Sequence, residues 1–121
     1  MAISRILVVD DSPTERFFLS ELLVKNGYLV SMAESGEEAV AQAKQTLPDL
    51  IVMDVVMPGM NGYQAARMIT NEEATKIIPV IMCTTKGQET DKVWGMRQGA
   101  KAYLVKPVKP EDLLSQIKAL G

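Results

Sequence analysis

Short apolar runs alternate with amphipathic stretches along the whole chain. Ile6-Leu7-Val8-Val9, Leu50-Ile51-Val52-Met53, Val80-Ile81-Met82-Cys83 and Ala102-Tyr103-Leu104-Val105 are unbroken apolar runs of strand length. A continuous run of this kind predicts a strand buried on both faces rather than a half-exposed one, which would alternate. A weaker strand is expected at Leu29 to Ala33.

The intervening stretches carry helix signals. Ser12-Pro13-Thr14-Glu15 predicts an N-cap at Ser12, proline in the first helical position and a capping box closed by Glu15. Phe18, Leu22 and Val24 lie in that helix, and Gly27 is a natural stop. Ser35 with Glu38 predicts a second capping box, opening a helix to about Gln45. After the turn cluster Pro58-Gly59-Met60-Asn61-Gly62, a helix runs from about Tyr63 to Ile69. Glu89 to Gln98 is helical and stops at Gly99, and Pro110-Glu111-Asp112 opens the last helix with acids that complement its dipole.

Five strands alternating with five helices predict an α/β fold with a parallel sheet covered on both faces. Five such units in 121 residues predict one domain, a doubly wound (βα)5 sheet of flavodoxin-like strand order 2-1-3-4-5.

Composition narrows the chemistry. Apolar residues make up 47% of the chain, enough for a core without staples. Cys83 is the single cysteine, so no internal disulfide can form, which fits a reducing cytoplasm. No apolar run approaches membrane-spanning length, and Met1 to Arg5 lacks the layout of a signal peptide. A net charge of −2 without a basic block argues against nucleic acid as a partner. Histidine is absent, which removes Ser-His and Cys-His mechanisms and imidazole-bound metals.

The polar residues fall where chemistry is expected. The first, third and fourth strands end in Asp10-Asp11, Asp54 and Thr84, and the fifth ends in Lys106. In an open parallel sheet, ligands bind outside the carboxyl ends of the strands where strand order switches. Carboxylates gathered there repel: at ~4 Å and an effective dielectric of ~20, each pair costs on the order of 4 kcal/mol. An all-oxygen donor set favours Mg²⁺ as the relieving cation. Asp54 can then act as nucleophile toward phosphorus, with the Lys106 ammonium and Thr84 hydroxyl against the phosphoryl oxygens. Each residue taken singly has a plainer role. Strand-end aspartates cap helices and form turns, a lysine is usually a solvated charge, and Lys106-Pro107 can be a strand stop or a cis turn.

Taken together, Asp10-Asp11, Asp54 followed by Met57-Pro58-Gly59 and Gly62, Thr84, and Lys106-Pro107 resemble the receiver domain of two-component response regulators. The resemblance covers essentially the whole chain, residues 1–121, with no output domain. It implies a switch rather than a turnover enzyme. Asp54 would accept phosphoryl from a partner histidine kinase. Asp10, Asp11, Asp54 and the Val56 backbone carbonyl would hold Mg²⁺. Lys106 would contact the phosphoryl group. Thr84 would move toward it, with Tyr103 turning inward behind. Lys92, Met96 and Tyr103 would present the partner surface. Val56 and Lys86 would flank the hydrolytic water and tune phosphoryl lifetime. The stretch from Thr84 to Ala100 further resembles regulators of type IV pilus twitching motility, acting as a cytoplasmic monomer on a motility protein.

Two other uses of a phosphorylated receiver-like chain remain open: a phosphate sink for a shared kinase, and a small-molecule phosphatase working through an aspartyl-phosphate. The usual form of the latter wants a second acid two residues past the nucleophile, where this chain has Val56. A flavin carrier on the same fold would need a Gly/Ser/Thr phosphate loop, which Ser12-Pro13-Thr14 does not supply. Trp94 is expected to be partly buried by packing.

Overall fold

The computed structural model describes residues 2–121. The elements run β1 (Arg5–Val9), α1 (Pro13–Lys25), β2 (Leu29–Ala33), α2 (Gly36–Thr46), β3 (Leu50–Met53), α3 (Gly62–Asn71), β4 (Val80–Thr84), α4 (Glu89–Arg97), β5 (Ala102–Val105) and α5 (Pro110–Leu120). One parallel sheet has the order β2-β1-β3-β4-β5, as the alternation predicts. Register is set by pairs such as Val9 with Ala33, Val9 with Met53, and Thr84 with Val105.

The period of two along each strand divides the core into two layers. Leu7, Val9, Ile51, Met53, Val80 and Met82 face α2 and α3 through Ala39, Ala43, Ala66 and Ile69. Ile6, Val8, Leu50, Val52, Ile81 and Cys83 face Leu19 and Leu23 of α1 and Leu113 and Ile117 of α5. Truncating a fully buried Leu7 or Ile51 to alanine costs about 2–5 kcal/mol on this basis. Inner strands β3 and β4 are buried throughout, while edge strand β2 is mostly exposed, which explains its weaker apolar signal.

Local signals hold with two corrections, both at capping boxes. Ser12 Oγ caps α1 by accepting from Glu15 N at 3.3 Å, but Ser12 N donates to Asp10 Oδ1 at 2.9 Å rather than to Glu15. Ser35 Oγ caps α2 through Glu38 N, while the Glu38 carboxylate turns to Glu34 N and Gln42 Nε2 instead of closing a box. The reciprocal box occurs at α3, between Asn61 and Gln64, inside the predicted turn cluster. Phe18, Leu22 and Val24 lie in α1 as expected, and the residues it buries are Leu19 and Leu23. Among the described residues, no helix is long and apolar enough to cross a membrane.

Candidate functional site

The site begins with the backbone. Asp10 and Asp54 each stand one residue past adjacent, in-register strands, and the ladder continues through them: Asp54 N donates to Val9 O at 2.9 Å and Asp10 N to Ala33 O at 3.2 Å. Their side chains are therefore set next to each other by the sheet. Asp11 follows at the start of the β1–α1 connection, exposed where the other two are buried. One carboxylate oxygen from each of Asp10, Asp11 and Asp54 lies within 4.8 Å of the others.

Two neighbours make this placement rigid. The Arg16 guanidinium, one turn into α1, donates to Asp10 O at 2.7 Å and pairs with Glu34 at 3.3 Å, tying the end of β1 to the β2–α2 connection. Gly62 starts α3 hard against the end of β3. A Cβ there would stand 2.1 Å from Asp54 O and 2.8 Å from Val55 Cα, so only glycine permits this approach. The predicted turn glycine is thus a packing requirement of the site itself.

Lys106 arrives from the far strand. Its backbone N donates to Thr84 O at 2.8 Å, continuing the β4–β5 ladder, and its peptide bond to Pro107 is cis. The Nζ lies 2.7 Å from Asp10 Oδ2 and 3.6 Å from Asp54 Oδ2. Burial works to lower the Lys106 pKa, but the hydrogen bond to Asp10 and the charges of Asp54 and Asp10 outweigh it and raise it. The Asp54 carboxyl is pushed up by burial and by Asp10, against the opposing pull of Lys106 and of the Val55 and Val56 amides. Val55 N donates to Asp54 Oδ1 at 2.8 Å. One ammonium faces three carboxylates, so the cluster is left negative. The donor set is hard oxygen throughout and fits a hard divalent cation.

The remaining predicted residues separate into groups. Thr84 is fully buried at the end of β4, its Oγ1 accepting from Lys86 N at 3.3 Å. Val56 is exposed beside Asp54. The Lys86 side chain lies toward α4, its Nζ 3.7 Å from Asp91. Lys92 and Met96 lie on α4, Met96 at the surface rather than in the core. Trp94, expected to be held by packing, keeps 49% of its surface exposed because α4 approaches the sheet through Gly95 instead. Burial pushes the Cys83 thiol up to about 12, so it is a core residue and not a nucleophile.

Two functional neighbours escaped sequence reasoning. Arg16 carried no signal beyond helix periodicity. Tyr63 reads in the sequence only as a helix start, yet its hydroxyl lies 3.1 Å from the Tyr103 hydroxyl and donates to Asp91 O at 3.1 Å. Tyr103 in turn donates to Lys86 O at 2.7 Å.

A doubly wound sheet with an acid triad at its switch point and a lysine reaching in from the last strand defines a receiver. The chain belongs to the response regulator receiver domain family, whose model matches residues 6–118. It is 56% identical over 117 residues to protein PilH of Pseudomonas aeruginosa, an alignment covering 97% of each chain. It is 39% identical to the transcriptional regulatory protein ResD of Bacillus subtilis, but spans 48% of that longer protein. Among solved structures it matches chemotaxis protein CheY4 of Vibrio cholerae with a TM-score of 0.91 at 36% identity, covering 99% of this chain and 100% of that one. It also matches the receiver domain of the sensor histidine kinase PA1611 of P. aeruginosa, at TM-score 0.90 and 30% identity over 98% of each. That receiver has a magnesium ion coordinated in its active-site cleft.

Proposed function

We propose that this receiver is a phosphorylation-operated switch in the control of type IV pilus motility, with Asp54 as phosphoryl acceptor and a histidine kinase as donor. The observation that carries the reading is the cluster itself: three carboxylates within 4.8 Å, with the Lys106 ammonium 3.6 Å from Asp54. Asp10, Asp11, Asp54 and the Val56 carbonyl would hold Mg²⁺, which when bound offsets charge on the phosphoryl oxygens. An Asp54 oxygen attacks phosphorus, the bond from phosphorus to the donor's imidazole nitrogen breaks, and the imidazole leaves with the electron pair to be protonated by solvent. Because this chain has no histidine, that imidazole belongs to another protein. Lys106 exchanges part of its contact with Asp10 for a phosphoryl oxygen, and Thr84 Oγ1 releases Lys86 N to donate to another.

The phosphoryl group adds roughly −1.5 to −2 charge, and its readout would be a shift of Thr84, Tyr103 and the α4–β5 face, where Lys92 and Met96 meet a protein partner. Val56 and Lys86 set how long the state lasts. The motility assignment rests on the likeness to PilH, whose alignment covers 97% of each chain, and the cytoplasm is the compartment in which the switch would act. Labelling by excess acetyl phosphate with Mg²⁺ tests the switch reading. Slow, stoichiometric labelling that disappears in Asp54→Asn is expected, whereas many cycles per minute would make the protein a phosphatase.

A further inference from the structure

Tyr63 plays no part in the acceptor chemistry, and it is 8% exposed. Its hydroxyl nevertheless lies at the junction of three elements. It donates to Asp91 O in the first turn of α4 at 3.1 Å and lies 3.1 Å from Tyr103 Oη on β5, while Tyr103 donates to Lys86 O in the β4–α4 connection at 2.7 Å. The Tyr103 ring reaches this place over Gly95, where a Cβ would stand 2.7 Å from Tyr103 Cδ2.

The protons decide what this arrangement can do. Three oxygen–oxygen approaches share the two protons of two hydroxyls. Carbonyls only accept, and the Tyr103–Lys86 bond is the shortest, so the Tyr103 proton is committed there. The Tyr63 proton is left between two acceptors at equal distance, Tyr103 Oη and Asp91 O. With Tyr103 inward, both are in reach. With Tyr103 turned out, Asp91 O still satisfies the buried Tyr63 hydroxyl, and the cost of an orphaned donor, which would otherwise resist the turn, does not arise.

We propose that Tyr63 is a positioning residue for the Tyr103 switch: its hydroxyl proton, shared between Tyr103 Oη and Asp91 O, favours the inward ring by part of one hydrogen bond, and Asp91 O keeps the outward ring accessible. The inference rests on the two-position reading of Tyr103 given above, and it makes α3 part of the switch. A purely packing role for Tyr63 would survive in phenylalanine, which keeps the ring and loses only the hydroxyl.

The test is NMR on the full chain without Mg²⁺ or phosphoryl donor, so it does not depend on Asp54 chemistry. The contact between the Tyr103 ring and Gly95 Hα, with side-chain couplings, gives the inward-to-outward ratio; Gly95→Ala supplies the outward reference and Tyr28→Phe the neutral control. In Tyr63→Phe the ratio is expected to fall about two- to threefold, part of the worth of one net hydrogen bond. An unchanged ratio overturns the proposal. If Tyr63→Phe does not fold, the wild-type protein decides: the Tyr63 hydroxyl proton must exchange slowly with solvent, and fast exchange overturns the proposal. In a second arm, beryllofluoride with Mg²⁺ should raise the ratio in wild type. No response there, with the first arm positive, would fault the Asp54 reading and leave the Tyr63 pairing standing.

Discussion

Replacing Asp11 by asparagine should make the metal-free protein more stable and the Mg²⁺-bound protein less so. Asp11 is the exposed member of the triad, and its oxygen lies within 4.8 Å of oxygens on Asp10 and Asp54. Lys106 is engaged with those two, at 2.7 and 3.6 Å, so its charge only partly offsets what Asp11 feels. At this separation a like-charge pair costs about 1 kcal/mol in bulk water and about 3.5 kcal/mol at an effective dielectric of 20. Two repulsions less one attraction leave about one pair, and exposure favours the lower figure, giving a gain of about 1–2 kcal/mol. The assay is urea unfolding in EDTA and again in saturating Mg²⁺. In EDTA the midpoint should rise in the variant, by less at high salt because exposed charges are screened. With Mg²⁺ the order should reverse, since wild type gains RT ln(1 + [Mg²⁺]/Kd) and the variant binds weakly. A variant less stable than wild type in EDTA would refute the claim that the cluster stores repulsion.

Val56→Asn should shorten the life of the phosphorylated state, because the exposed apolar side chain beside Asp54 offers a hydrolytic water no hydrogen bond; a half-life that stays the same or lengthens in a label-decay assay removes this account. Gly62→Ala should cost about 2–4 kcal/mol in urea unfolding and weaken Mg²⁺ binding, because the new Cβ must displace Asp54 O from 2.1 Å; unchanged stability and affinity would contradict the packing argument. Asp49 sits at the opposite end of the sheet, and bonds from Arg5 N at 2.9 Å and Ser4 N at 3.0 Å hold its carboxyl below the usual range. A depressed folded value means stabilisation that is present above the unfolded pKa of about 3.9 and lost as pH falls through the folded one. Asp49→Asn should therefore cost about 1 kcal/mol at neutral pH and progressively less in acid, with a difference that persists at the lowest pH counting against it.

Much of this was legible because receiver chemistry sits at strand ends. Unbroken runs such as Ile51-Val52-Met53 mark inner strands, so Asp54 and Asp10 could be placed from the chain alone, and the parallel register then puts them side by side. Lys106 was legible as a strand-end cation, but not its 2.7 Å bond to Asp10, which depends on the Lys106 side chain reaching back from β5 past the ends of β4 and β3. Arg16 and Tyr63 were not legible. Each acts through a backbone carbonyl outside its own helix, Asp10 O and Asp91 O, and an acceptor that every residue possesses leaves no mark on composition or periodicity. The capping boxes expected at Glu15 and Glu38 failed for a related reason, since Asp10 takes the amide that Glu15 was expected to bind and Glu38 reaches Glu34 N. The exposure of Trp94 follows from Gly95, which lets the Tyr103 ring take the place against α4 where a larger side chain would have packed.

Asp54 is the residue on which phosphoryl is expected to be carried. The direct measurement is transfer of labelled phosphoryl from a purified phosphohistidine kinase to this protein in Mg²⁺, followed by peptide mapping. The label should fall on Asp54, need Mg²⁺, and vanish in Asp54→Asn while that variant remains folded. Label retained by Asp54→Asn, or mapped to any other residue, would contradict the account.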